Sequence, residues 1–430
     1  MNRPNLQRRR LLQMLGLAGA SALAGPALTA CSSGAEADGR LGLWTHNAGN
    51  PLEMEVIDAI IADFNKSQED YSVRTESFPQ DAYNDAVNAG ALAGDLPDVL
   101  DVDGPNTPNW AWSGHLQELP LDSKSINRLL PSCVGRFQDK VYSFGLYEAA
   151  VCLFARESVL ERHRIRVPSM DDPWSGEEFD EILEKLGRDS GYEFAIDLGV
   201  GDKGEWFPYA FSPFLQSHGG DLIDREGYAG AEGVLNGTEA VAFGRWFQSL
   251  FARGLSNLES TGEREEFVQG ASALAWNGNW AAVEAMETYD DVLFLPPPDF
   301  GRGPVTGGGS WQWAVSATSP ETDGAKAYLE TSLRPEYLAE LSDRTGLIPA
   351  TDEAAEMTEN YGSDGRLRDI MEYSRSYARL RPETPAYPVI SSVFLSAIDD
   401  VVHGGDVAET LDEAVGEIDN DIDSNGGYGF

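Results

Sequence analysis

Five histidines are present (His46, His115, His163, His218 and His403), and none sits in an H-E-x-x-H pattern or beside a second metal-type ligand. No G-x-S-x-G element offers a nucleophile elbow, and no glycine-rich loop ends in the Gly-Lys-Ser/Thr needed to hold phosphates. Gly307-Gly308-Gly309 reads as a turn. Carboxylates are so frequent that any chosen pair is uninformative about a glycosidase, whose two acids must lie at a set separation. The acidic end Asp419-Asn420-Asp421-Ile422-Asp423-Ser424 lacks the glycine and later glutamate of a calcium loop, and reads as a solvated tail. No catalytic residue, cofactor or metal follows from these patterns.

Aromatic and amide side chains are more informative. Trp44-Thr45-His46-Asn47 and Asp101-Val102-Asp103-Gly104-Pro105-Asn106 each follow a strand-like run, and Glu205-Trp206-Phe207-Pro208-Tyr209 and Trp276-Asn277-Gly278-Asn279-Trp280 take similar places later. A sugar offers hydroxyls to carboxylates and amides, and weakly apolar C–H faces to rings, so a site with both residue classes suits it. Trp206 and Trp280, flanked by prolines, glycines and amides, are read as ligand contacts. Trp112, Trp246 and Trp313 are assigned first to the core.

The elements that must position them alternate between strand and helix. Arg40–Trp44 and Tyr71–Glu76 are strand-like, and Pro97–Val102 is a third such run. Between them Asn50-Pro51-Leu52-Glu53 opens a helix with Val56, Ile57, Ile60, Ile61 and Phe64 on one face, and Tyr83, Val87 and Ala91 mark another. This β-α-β-α-β order predicts a mostly parallel sheet covered by helices. Past residue 150, Ser175 caps a helix with Glu178 reaching back, and Trp174 and Phe179 form its hydrophobic staple. Further strands are read at 193–197, 271–276 and 311–315, and helices from Thr238 and Asp323. The expected fold class is α/β with two lobes and a ligand cleft between them.

The chain has 430 residues with 31 basic and 71 acidic side chains, a net charge of -40. Residues 1–30 hold four arginines (Arg3, Arg8, Arg9, Arg10) and no acid, so the remainder carries 27 basic against 71 acidic groups, a net charge of -44. Such a field disfavours nucleic acid and anionic bilayers as partners. The arginine run, the small-residue apolar stretch from Leu11 to Ala27 and Leu28-Thr29-Ala30-Cys31 resemble a bacterial lipoprotein signal, with Cys31 as the lipidated residue and a twin-arginine export start. Residues 31–38 would then be a tether. Cys133 and Cys152 read equally well as a disulfide or as two buried thiols.

The chain resembles the extracellular solute-binding proteins of carbohydrate ABC importers, the class that includes maltose-binding protein. The resemblance rests on the lipobox, Trp44-Thr45-His46-Asn47, Gly94-Asp95-Leu96-Pro97-Asp98-Val99, Gly278-Asn279-Trp280, Thr345-Gly346-Leu347-Ile348-Pro349 and Val401-Val402-His403-Gly404-Gly405, in that order. It implies an N-terminal lobe of residues 39–149 and 304–349, a C-terminal lobe of 150–303 and 350–430, and closure around an oligosaccharide. It also implies delivery to the membrane subunits of an ABC permease, by a monomer held at the membrane by its lipid. Trp280 matches the family's sugar-stacking aromatic, Tyr387 a late cleft aromatic, and Asn47, Asp81 and Asp103 first-lobe polar positions. His46, Asn279, Glu148 and Trp311 complete the candidate set. The family's Tyr-Asn-Lys element is replaced by Leu153-Phe154-Ala155-Arg156-Glu157, where Arg156 keeps the charge. A secreted glycoside hydrolase, a binding protein for a non-sugar solute and a structural surface lipoprotein are the alternatives.

Overall fold

The computed structural model describes residues 38–261 and 265–429; the leader, Cys31 and nearly all of the tether lie outside that range. In chain order the strands are β1 Arg40–Thr45, β2 Ser72–Ser77, β3 Val99–Asp103, β4 Val134–Phe137, β5 Lys140–Phe144, β6 Tyr147–Arg156, β7 Phe194–Asp197, β8 Ser272–Gly278, β9 Val292–Leu295, β10 Thr306–Gly309, β11 Trp311–Val315, β12 Ile348–Pro349 and β13 Ala378–Leu380. They form two sheets, ordered β2-β1-β3-β11-β5-β4 and β13-β10-β6-β8-β7, with β9 and β12 also paired to β6. Each sheet carries helices, giving a two-lobed α/β architecture.

The first lobe begins as its patterning predicts. β1 pairs in parallel with β2 and β3, through crossover helices Pro51–Ser67 and Gln80–Ala93. Asn50 caps the first of these by accepting the Glu53 amide at 3.3 Å, while its own amide donates to the Glu53 carboxylate at 2.7 Å. The first bond satisfies one orphan backbone donor at the helix start, and the second ties the two side chains together. β3 is buried along its whole length, as expected of a central strand covered on both faces. In the second lobe Ser175 caps its helix at the Glu178 amide, and Trp174 and Phe179 rings stack 6.1 Å apart. Glu178 does not reach back; its carboxylate is held by Arg166 at 2.6 and 2.8 Å.

Three short connections join the lobes. β6 crosses first: Tyr147 and Ala149 belong to the first-lobe core, whereas Val151 and Leu153 belong to the second. The second crossing is at Ser310, between β10 in one sheet and β11 in the other, so the segment expected in the first lobe from residue 304 opens inside the second sheet. The third is β12, whose Ile348 and Pro349 pair with Glu148 and Tyr147.

Three further expectations change, and one open alternative is decided. Gly307-Gly308-Gly309 is strand, not turn: a Cβ on Gly307 would lie 2.4 Å from the Tyr209 carbonyl oxygen, so helix and strand pack closer than any side chain allows. The acidic end is not a solvated tail but helix Val407–Ser424, burying Leu411, Val415, Ile418 and Ile422 at helical spacing. Trp112 is 43% exposed rather than core, while Trp313 is buried and Trp246 packs partly buried against the second-lobe core. Cys133 and Cys152 are separate buried thiols, not a disulfide, and burial pushes both above the ordinary thiol range. Among the described residues no helix is long and apolar enough to cross a membrane.

Candidate functional site

The first-lobe side of the site is built at the ends of β1 and β3. Asp101 is the fixed point there: its Oδ2 accepts from the Thr45 hydroxyl at 2.7 Å and the His46 amide at 3.2 Å, and lies 2.8 Å from His46 Nδ1. The Tyr83 hydroxyl donates to the Asp101 carbonyl at 2.9 Å. These bonds hold the His46 ring flat on Trp311, with centroids 3.8 Å apart and planes 9° from parallel. Asn47 donates to Thr45 Oγ1 at 3.0 Å, leaving its buried Oδ1 without a protein partner. Below them, burial pushes the Glu53 carboxyl upward, and His46 opposes that shift.

The second-lobe side is aromatic. Helix Trp206–His218 is fastened to β8 by Trp276 Nε1, which donates to the Ala210 carbonyl at 2.8 Å. Trp206 heads this helix and donates its indole N–H to Leu198 at 3.0 Å. Beyond β8 the chain turns through Asn279, and Trp280 folds back over Gly278, where a Cβ would meet the indole at 2.1 Å. Trp280 therefore sits 6.1 Å from Trp206 and 6.0 Å from Tyr209 between ring centroids, 39% exposed. The Tyr209 hydroxyl is buried and unpartnered.

Arg381 joins the two sides. Its guanidinium forks onto Asp103 at 2.7 and 2.8 Å and reaches Glu205 at 2.7 Å. Glu205 also accepts from the Tyr387 and Ser391 hydroxyls. The guanidinium carbon lies 5.2 Å from the Tyr209 ring centre and 5.8 Å from that of Tyr387. Burial works against the charge on Arg381, but Asp103 and Glu205 hold it cationic; burial likewise pushes Asp103 upward, and Arg381 opposes this.

Six of the sequence candidates thus form one connected line. His46 stacks on Trp311, Trp311 faces Asp103 in the β3–β11 register, and Arg381 carries the line from Asp103 to Tyr387, Tyr209, Trp280 and Trp206. Asn47 adjoins this line. Glu148 lies at the hinge with its buried Oε1 unpartnered; burial pushes its carboxyl up, against hydrogen bonding with Ser374 and Ser132. Asp81 stands apart, exposed in the first turn of its helix. Asn279 is fully buried and committed to the hinge: it accepts the Ala150 amide at 3.0 Å and donates to the Gly346 carbonyl and the Tyr361 hydroxyl at 2.9 and 3.1 Å. Arg156 pairs with Asp291 at 3.0 Å and covers Tyr289, at the outer end of β6. Glu205 and Tyr209 lie in a segment that the sequence marks as site-like but were not themselves named as contacts, and Arg381 was not singled out. The one available signal was a cation next to proline and a nearby aromatic, in a chain where acids outnumber bases more than twofold. Among the described residues no group of three or more His, Cys, Asp or Glu side chains is placed to hold a metal ion.

A family model described as bacterial extracellular solute-binding protein matches residues 59–368. A maltooligosaccharide ABC transporter solute-binding lipoprotein of Streptococcus pneumoniae is 22% identical over 290 residues, 64% of each chain. The diacetylchitobiose binding protein DasA of Streptomyces coelicolor is 24% identical over 371 residues, 80% of this chain and 82% of that protein. Among solved structures, the GacH receptor of Streptomyces glaucescens, crystallised unliganded and with acarbose, superposes with a TM-score of 0.74 at 19% identity. That match covers 90% of this chain and 98% of GacH.

Proposed function

The chain belongs to the bacterial extracellular solute-binding proteins, and from that premise we propose that it captures an extracellular oligosaccharide between its lobes for an ABC permease. The observation that carries this reading is the aromatic cluster of the second lobe, exposed Trp280 against partly buried Trp206 and buried Tyr209, beside two carboxylates contributed one by each lobe, Asp103 and Glu205. Sugar C–H faces lie against the rings, and sugar hydroxyls donate to the carboxylates and to the free Asn47 Oδ1. The named ligands of the relatives, maltooligosaccharide and diacetylchitobiose, support a carbohydrate. Contacts from both lobes favour the closed arrangement over the open one, and the closed surfaces are then presented to the permease. No bond is made or broken in the ligand. Lipid on Cys31, added after export by a twin-arginine signal, holds the protein at the outer face of the membrane, where it works as a monomer without cofactor.

The test is calorimetric titration of residues 32–430 with malto-, xylo-, gluco-, manno- and α-galacto-oligosaccharides, with the ligand recovered afterwards. The expected result is saturable one-to-one binding of one oligosaccharide series, recovered intact. Trp280→Ala should weaken that binding by about 3- to 10-fold, the worth of one ring contact. Silence across the panel overturns the oligosaccharide reading, and shortened ligand overturns the non-enzymatic one.

A further inference from the structure

Beside the His46–Trp311 stack lies a cavity of about 20 Å3, room for one water-sized group. Trp311 is the only lining residue that is not fully buried, so the cavity opens beside it, next to its strand neighbour Asp103. Most of the polar lining is already engaged. His46 and Asp101 hold each other at 2.8 Å, while the Glu53 carboxyl accepts from the Asn50 amide at 2.7 Å and bonds the Tyr147 hydroxyl. Asn47 differs. The Thr45 hydroxyl spends its proton on Asp101 and can only accept from Asn47, which fixes Asn47 Nδ2 on that side. Asn47 Oδ1 is left without a partner, in a residue only 3% exposed. Ile57 and Leu341, on the apolar part of the lining, have no donor to give it.

We propose that this cavity is a socket for a single hydroxyl-sized hydrogen-bond donor seated on Asn47 Oδ1: water in the ligand-free protein, replaced by one hydroxyl of the bound sugar. Chemistry and size both point there. An amide oxygen withdrawn from water and left unbonded is costly, so the site asks for a donor, and an ether oxygen cannot satisfy it. The volume of one water admits a hydroxyl, whereas a methoxyl or acetamido group would press on close-packed walls. Asn47 thereby selects one position of the sugar that must carry a free hydroxyl. The exchange for a sugar hydroxyl rests on the oligosaccharide reading; the water does not.

High-resolution crystal structures of residues 32–430, which hold every element described above, test it in two states. Ligand-free crystals should show an ordered water within about 3 Å of Asn47 Oδ1. Crystals grown with malto-, xylo-, gluco-, manno- or α-galactotriose, whichever the titration selects, should show a sugar oxygen in its place. Calorimetry on mono-O-methyl forms of that trisaccharide should find one position whose methylation abolishes binding. Leu341→Ala, which enlarges the cavity and keeps the acceptor, should restore it. Asn47→Ala should weaken the parent trisaccharide about tenfold; if that variant fails to fold, the Leu341→Ala comparison carries the same expectation. No ordered water on Asn47 Oδ1 would overturn the socket. A water that stays in place beside the bound sugar, or methylated forms that Leu341→Ala does not rescue, would overturn selection by this cavity. If no trisaccharide binds while the water is present, the oligosaccharide reading fails alone and the socket stands as a water site.

Discussion

Asn279 uses both ends of its amide on the hinge, joining Ala150 on β6 to Gly346 and Tyr361. Truncation to alanine leaves the buried Ala150 N–H without a partner, while Gly346 keeps the Tyr361 hydroxyl. We expect Asn279→Ala to lower unfolding stability by about 2 kcal/mol, measured by denaturant titration. Asp291 makes a pH prediction. Burial alone would raise its pKa, but hydrogen bonds from Ser158 and Arg156 overcome this and hold it at about 2. A carboxylate depressed in the folded state stabilises above its unfolded pKa, and that contribution is lost as pH falls through about 2. Asp291→Asn should therefore flatten the fall in melting temperature between about pH 4 and pH 2; an unchanged slope would show the pair contributes nothing there. Residue types near the site were legible, since Trp280, Trp206, His46 and Asp103 stood out beside turns and strand ends. Their pairing was not: Arg381 meets Asp103 and Glu205 at 278 and 176 residues' separation, and no local pattern carries that information.

Elements were legible where their causes are local. The Asn50 and Ser175 caps and the Trp174–Phe179 staple each act within a few residues, and each is where its spacing placed it. The glycine run misled for the opposite reason. Glycine marks turns when only neighbours are considered, whereas β10 needs it because the Tyr209 carbonyl, a hundred residues away in sequence, presses on its face. Gly307→Ala should destabilise by about 2 kcal/mol through that overlap, as an earlier urea midpoint. An unchanged midpoint would mean that helix Trp206–His218 can retreat without loss. In the acidic C-terminal segment, charge density hid an apolar stripe with helical period. The stripe, not the charge, decides that the segment docks.

At the scale of the molecule, a charge of -40 acts on every conformation, and most strongly on the compact one. Added sodium chloride screens this repulsion, so melting temperature should rise as salt increases from a few millimolar to about 0.15 M, where the Debye length is about 8 Å. A fall would mean that the surface ion pairs outweigh the repulsion. The two-lobed plan followed from alternating elements and from the family resemblance, while the exact crossing at Ser310 depends on strand pairing that only the folded chain displays. That interleaving also sets a constraint on synthesis. β3 lies between β1 and β11 in its sheet, yet β11 leaves the ribosome only after nearly the whole of the second lobe's sheet has been made. At roughly 5–20 residues per second the wait is on the order of ten to forty seconds. Throughout it, the Val99–Asp103 backbone offers an unpaired edge on a strand that is apolar at three of its five positions. The nascent chain therefore passes through a stage in which its first lobe is open to pairing with a neighbour, and translation speed becomes a determinant of yield.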